Sequence, residues 1–368
     1  MMDEFEAARV TFSSDYADAR RRFLAAAAAI GAPVRSYENP NRGPAGEALA
    51  TDCAWVGPEN ASRVLMLISA THGVEGFCGS GCQIDWMSGD RRLPADTAAL
   101  VVHAINPHGF AWIRRVTEEG VDLNRNFVDF SKPLPENPGY DELADAILPP
   151  ALEGPEREAA DARIAAFRQE KGQPALAVAI SGGQYKHPKG LFFGGSGPTW
   201  SNRTLGRITD DYRLAERRHV GCIDYHTGLG PHSYGELICV HLPETGAAAR
   251  AKRWWGDSVT EPLAGTSTAG ARHGFCARLL EERLGDDRFT FVALEYGTYP
   301  SDTHVRPALR ADHWLHAHTN ADWEAPQTKA IKAQIRKAFY PDTDDWREAV
   351  LFRSRQTIRM TLDGLAKA

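Results

Sequence analysis

The sequence predicts an α/β sandwich, with a largely parallel or mixed sheet flanked by helices. Short apolar runs of strand length alternate with longer stretches of helical pattern. His72, Asn106, His226 and Glu295 fall at or just past the ends of such runs. Open α/β sheets collect functional groups at those strand ends. With 43% hydrophobic and 24% charged residues in 368, the composition is globular, and the length allows one large domain or two of usual size.

The elements follow in chain order. Residues 15–31 read as an amphipathic helix: Arg20, Arg21 and Arg22 precede an apolar stretch and Gly31 closes it. Residues 64–69 and 100–105 read as buried strands, with a helix over 76–88 between them. Residues 129–218 are too long for a simple loop. They hold prolines, a charged helix over 156–170, and the glycine-rich stretches Ser181-Gly182-Gly183-Gln184 and Gly194-Gly195-Ser196-Gly197. This segment reads as an insertion near the rim of a site, with its own helix and a strand at 175–180. Strands follow at 220–225, 236–241 and 289–295, with helices at 246–255 and 272–284. The tail, 302–368, is helical in pattern and is expected to pack on the outside as an extension of a single catalytic domain spanning 1–368.

A net charge of -6 gives no reason to expect nucleic acid or an acidic membrane surface as partner. No apolar run approaches the roughly 18 residues of a membrane span. The start, Met1-Met2-Asp3-Glu4-Phe5-Glu6, lacks the basic-then-apolar order of a secretory signal, so a cytoplasmic location is expected. The six cysteines show no framework spacing and read as free core thiols. Cys78 and Cys82 are one helical turn apart near the expected metal, but a core role is favoured over a ligand role.

The run Thr71-His72-Gly73-Val74-Glu75-Gly76 places an imidazole and a carboxylate three residues apart where a strand ends. Such a pair can put two ligands on one ion, since a zinc site needs nitrogen and oxygen donors held close together. A second segment runs from Asn106-Pro107-His108-Gly109-Phe110 through Arg114-Arg115 to Val121-Asp122-Leu123-Asn124-Arg125-Asn126-Phe127. Asn124 and Arg125 offer an amide and a guanidinium fork for a substrate carboxylate. Arg114 or Arg115 could face a developing oxyanion. Asp122 could bond a ligand imidazole and set its tautomer. His226 ends one apolar strand and can supply a third ligand. Glu295 ends another, where a buried acid needs a partner.

Together these motifs resemble the zinc carboxypeptidase family, with links to the aspartoacylase and succinylglutamate desuccinylase group. His-x-x-Glu, Asn-Pro-x-Gly-Phe, Val-Asp-Leu-Asn-Arg-Asn-Phe, a strand-end His and a late strand-end Glu occur in the family's order. The resemblance implies a three-layer sandwich with an eight-stranded mixed sheet. It implies one Zn2+ held by His72, Glu75 and His226, with Asp122 orienting His72. Glu295 would be the general base, Arg114 or Arg115 the oxyanion partner, and Asn124 with Arg125 the grip on a terminal carboxylate.

The chain departs from the family in two ways. No tyrosine lies between Tyr234 and Tyr296, where the digestive enzymes carry a mobile one; Tyr185 is a substitute from the insertion. The insertion itself favours a small or unusual substrate. Two activities fit: cleavage of an amide next to a free carboxylate in a small peptide, and deacylation of an N-acyl amino acid. A non-catalytic binding protein on the same fold would be expected to have lost a ligand or the glutamate, and all are present. His304 is near enough to Glu295 in sequence to reach a pocket. His108, His313, His316 and His318 are read as structural or surface residues. Nothing in the pattern specifies an oligomeric state.

Overall fold

A computed structural model describes residues 9–270 and 272–368. Its centre is one mixed sheet of eight strands: β1 (Val34–Arg42), β2 (Ala48–Val56), β3 (Arg63–Ile68), β4 (Thr97–His103), β5 (His219–Thr227), β6 (Gly235–Ile238), β7 (Val259–Thr260) and β8 (Phe289–Tyr296). The spatial order is β1-β2-β4-β3-β5-β8-β6-β7. The middle four, β4-β3-β5-β8, are parallel neighbours. The antiparallel pairs are β1 with β2, β2 with β4, and β6 with β8.

Strand periodicity divides the core into two layers. From β3, Leu65 and Leu67 face one side, packing with Phe77, Trp255 and Leu365. Val64, Met66 and Ile68 face the other, packing with Leu205, Ile208 and Leu280. Both faces of the central strands are therefore covered, which is why they read as continuous apolar runs. The expected three-layer α/β sandwich with an eight-stranded mixed sheet is what the chain forms.

Several elements differ from expectation. The β1–β2 hairpin extends the sheet through a first strand that is mostly exposed. The strand expected at 236–241 ends at Ile238, and the helix expected from 272 begins at Cys276. Residues 175–180 are not a strand. They belong to the helix Pro155–Ser181, which breaks at Gly172 (φ 85°) just before Pro174. Their apolar side joins Leu143, Phe192, Leu309 and Phe339 in a separate cluster, so the inserted segment packs on the tail helices. The tail is not merely external either: the helix Asp344–Lys367 buries Trp346, Ile358 and Leu365 in the main core. All six cysteines are buried and free. Among the described residues no helix is long and apolar enough to cross a membrane.

Candidate metal centre

Strands β3 and β5 run side by side with Ile68 opposite Asp224, so the residues leaving their C-terminal ends meet. His72 precedes a single 3-10 turn, Gly73–Glu75, which returns the Glu75 carboxylate to it. His72 Nδ1 lies 3.0 Å from Glu75 Oε1 and His226 Nδ1 lies 3.0 Å from Glu75 Oε2. The two Nδ1 atoms are 3.3 Å apart. One donor atom from each residue lies within 4.8 Å of the others, and all three residues are buried.

The far side of each imidazole is also held. His72 Nε2 is 3.2 Å from Asp122 Oδ1 and 2.8 Å from Arg115 Nη2. His226 Nε2 is 2.7 Å from Asp224 Oδ2. Two imidazoles turned toward one carboxylate, each steadied from behind by another, form a donor set that fits a zinc ion.

Charge balance explains why so many ionisable groups can be buried together. Burial opposes ionisation of Glu75, but His72 and His226 outweigh it and hold its pKa well below the usual range. Burial opposes the charge on His226, yet Asp224 and Glu75 raise its pKa far above normal. Asp122 is likewise kept ionised against burial by Arg115, Arg125 and His72. Glu295 is the exception: burial and then repulsion from Glu75 raise its pKa to about 7. Its Oε1 accepts a hydrogen bond from Leu229 N at 3.0 Å.

These groups line a cavity of about 480 Å³, which also receives Arg115, Asn124, Arg125 and Arg272. The two adjacent arginines diverge. Arg115 donates to Asp122 Oδ2 at 2.9 Å and to Glu75 Oε1 at 3.0 Å. Arg114 points elsewhere, with its Nε 3.2 Å from Asp312 Oδ2, in a buried cluster with Lys332. Of the two candidate arginines, Arg115 therefore lines the cavity and Arg114 does not. Tyr185 does not line the cavity: its hydroxyl donates to Arg125 O at 2.6 Å and props that backbone. His304 is exposed, bonded to Thr303 Oγ1, and stays out of the cavity.

Residues 12–353 match the family described as "Protein of unknown function (DUF2817)". The chain belongs to the DUF2817 family. No curated protein matches it. Among solved structures, a metallo-carboxypeptidase from Burkholderia cenocepacia is 13% identical, with 92% of this chain and 69% of that one covered at a TM-score of 0.37. Succinylglutamate desuccinylase from Chromobacterium violaceum is 15% identical over 88% and 74% of the two chains, TM-score 0.35. An aspartoacylase family protein from Mesorhizobium loti is 12% identical over 78% and 66%, TM-score 0.37.

In this DUF2817 chain, sequence reasoning passed over Asp224 and Arg272. Asp224 stands two residues before His226 on β5, the spacing that puts both on one face of a strand, so an Asp-x-His pattern carried the signal. Arg272 lay inside an expected helix and gave none.

The two leading motifs are locked together by backbone. Gly73 N donates to Arg115 O at 3.1 Å and Val74 N to Arg114 O at 2.8 Å. Asn106 caps the short helix Pro107–Ala111 by accepting from Gly109 N. A Cβ on Gly73 would lie 2.0 Å from the carbonyl carbon of Gly109. Gly73→Ala is therefore expected to destabilise the fold by about 1–3 kcal/mol through overpacking and to weaken any metal binding by His72 and Glu75. Urea denaturation and metal analysis of the purified variant check both.

Proposed function

We propose that this protein is a zinc-dependent hydrolase that cleaves an amide bond next to a free carboxylate, in the manner of a carboxypeptidase. The observation that carries this reading is the convergence of His72, Glu75 and His226 in one cavity with Glu295. His72, Glu75 and His226 would hold the ion. When bound, zinc supplies a Lewis acid that activates water toward an amide carbonyl.

The chain's own groups supply the rest. Glu295, with a pKa near neutrality, takes a proton from the attacking water and returns it to the leaving amine. Arg115, fixed by Asp122 and Glu75, offers a pre-aimed cation where negative charge develops on the carbonyl oxygen. Phe192, Leu229 and Phe339 give the cavity part of its apolar lining. Residues 174, 177, 178 and 180–182, after the break at Gly172, form one wall. That enclosure favours short substrates and keeps N-acyl amino acids as a second reading.

Protein purified without chelator is expected to carry about one zinc per chain. It should release either C-terminal residues from short peptides or the acyl group from acyl amino acids. A chain that neither holds nor takes up zinc, and turns over neither substrate class, would sink the proposal. His72→Ala and His226→Ala should each lose most of the metal, read by elemental analysis.

A further inference from the structure

We infer that Arg272 is the residue that grips the substrate's carboxylate, a role that the sequence pattern assigns to Asn124 and Arg125. This rests on the hydrolase reading above and names the element that selects its substrate.

Arg115 and the two terminal nitrogens of Arg125 are already engaged, while Arg125 Nε is buried without a partner among the described residues. Arg115 is paired with Asp122 and Glu75 and is the cation assigned above to the carbonyl oxygen. Arg125 is only 1% exposed. Its Nη1 donates to Asn124 O at 2.8 Å and its Nη2 to Ser181 O at 2.7 Å. Gly183 closes over its stem, where a Cβ would lie 2.6 Å from Arg125 Cδ. Asn124 Oδ1 accepts from Cys276 N at 2.9 Å. Through these bonds Asn124 and Arg125 tie the inserted segment and the 276–284 helix to the site.

Arg272 is different. It is half-buried and lines the cavity beside Glu295. Among the described residues its one hydrogen bond is a long contact of 3.5 Å from Nη2 to Ser181 Oγ. Among the described residues no carboxylate forms an ion pair with it. Burial, together with the positive charges of Arg125 and Arg115, presses its pKa down to about 9 against the opposing pull of Asp122 and Glu295. A desolvated guanidinium held against two like charges is costly. A carboxylate arriving with the substrate relieves that cost and meets a planar fork suited to two parallel hydrogen bonds.

The test is calorimetric binding to the zinc-loaded protein. The probes are N-acetyl-L-alanine, N-acetyl-L-phenylalanine and N-acetyl-L-glutamate, each against its α-amide. Wild type should bind at least one acid about tenfold or more tighter than the matching amide, as expected of a charge-assisted pair. Arg272→Met should erase that preference, and Arg272→Lys should keep part of it, at unchanged zinc content and circular dichroism. If Arg272→Met does not fold, Arg272→Lys and Arg272→Gln carry the comparison. An undiminished preference in the neutral variants, or no preference in wild type, overturns the assignment. Hydrolysis is read separately. Turnover with an unaltered acid preference refutes the role of Arg272 alone. An acid preference lost in the variant, without turnover in wild type, refutes the hydrolase reading alone.

Discussion

Glu295→Gln should keep its zinc and its fold while hydrolysis falls by about two to four orders of magnitude. The amide matches the carboxylate in shape and can still accept from Leu229 N, but it cannot take a proton from water. The same variant has a second signature in chelator-treated protein. The Glu295 pKa rises from 4.5 to about 7 on folding, so the folded chain binds that proton more tightly than the unfolded one. The stability this contributes is complete below about pH 4.5 and is lost as pH rises through about 7. Metal-free Glu295→Gln should therefore gain on wild type as pH rises. Above neutrality the difference should reach on the order of 3 kcal/mol. Urea denaturation at several pH values measures it. Hydrolysis within tenfold of wild type would remove Glu295 from the mechanism, and a gap of opposite sign would contradict its buried, Glu75-facing environment.

Asp122→Asn should be the most damaging conservative change outside the ligand set. Asp122 is fully buried. It bonds Arg115 Nε at 2.9 Å, His72 Nε2 at 3.2 Å and Asn124 N at 3.0 Å. Removing its charge leaves two buried guanidiniums, Arg115 and Arg125, without their shared counter-ion. Breaking a buried pair from one side costs about 3–5 kcal/mol. Loss of the carboxylate behind a ligand imidazole should also weaken zinc binding by about 10- to 100-fold. The sign with pH is opposite to that of Glu295. The Asp122 pKa is lowered well below normal, so its stabilisation is present above the ordinary carboxylate range and fades as pH falls. Wild type and variant should converge in acid. Competition with a fluorescent chelator reads the metal affinity, and denaturation at pH 7 and at about pH 2 reads the linkage.

The parts of the fold legible in the sequence were those whose pattern follows burial. The central strands β3, β5 and β8 carry mainly apolar runs because helices cover both faces. β1 gave no such signal: most of its residues are exposed, and Pro40 sits within it. Residues 175–180 show the converse failure, since a short apolar run fits a buried helix turn as well as a strand. In the site, His72, Glu75, His226 and Glu295 were readable because each closes a strand or its turn. Arg114 and Arg115 could not be separated, because neighbouring side chains diverge and only the tertiary partners Asp312 and Asp122 reveal which way each one goes. Arg272 depends wholly on the loop that precedes the helix at Cys276, and loop placement leaves no periodic trace.

The pairing of Ile68 with Asp224 has a consequence for how the protein matures. The spacing between the two imidazoles is set by adjacent parallel strands, and carboxylates from Asp122 and Asp224 already aim them. Little chain order remains to be created when an ion arrives. Small zinc domains couple metal capture to folding and are unstructured without it. Here the scaffold should assemble first and be charged with metal afterwards, which makes ion delivery, rather than chain folding, the step that switches the protein on.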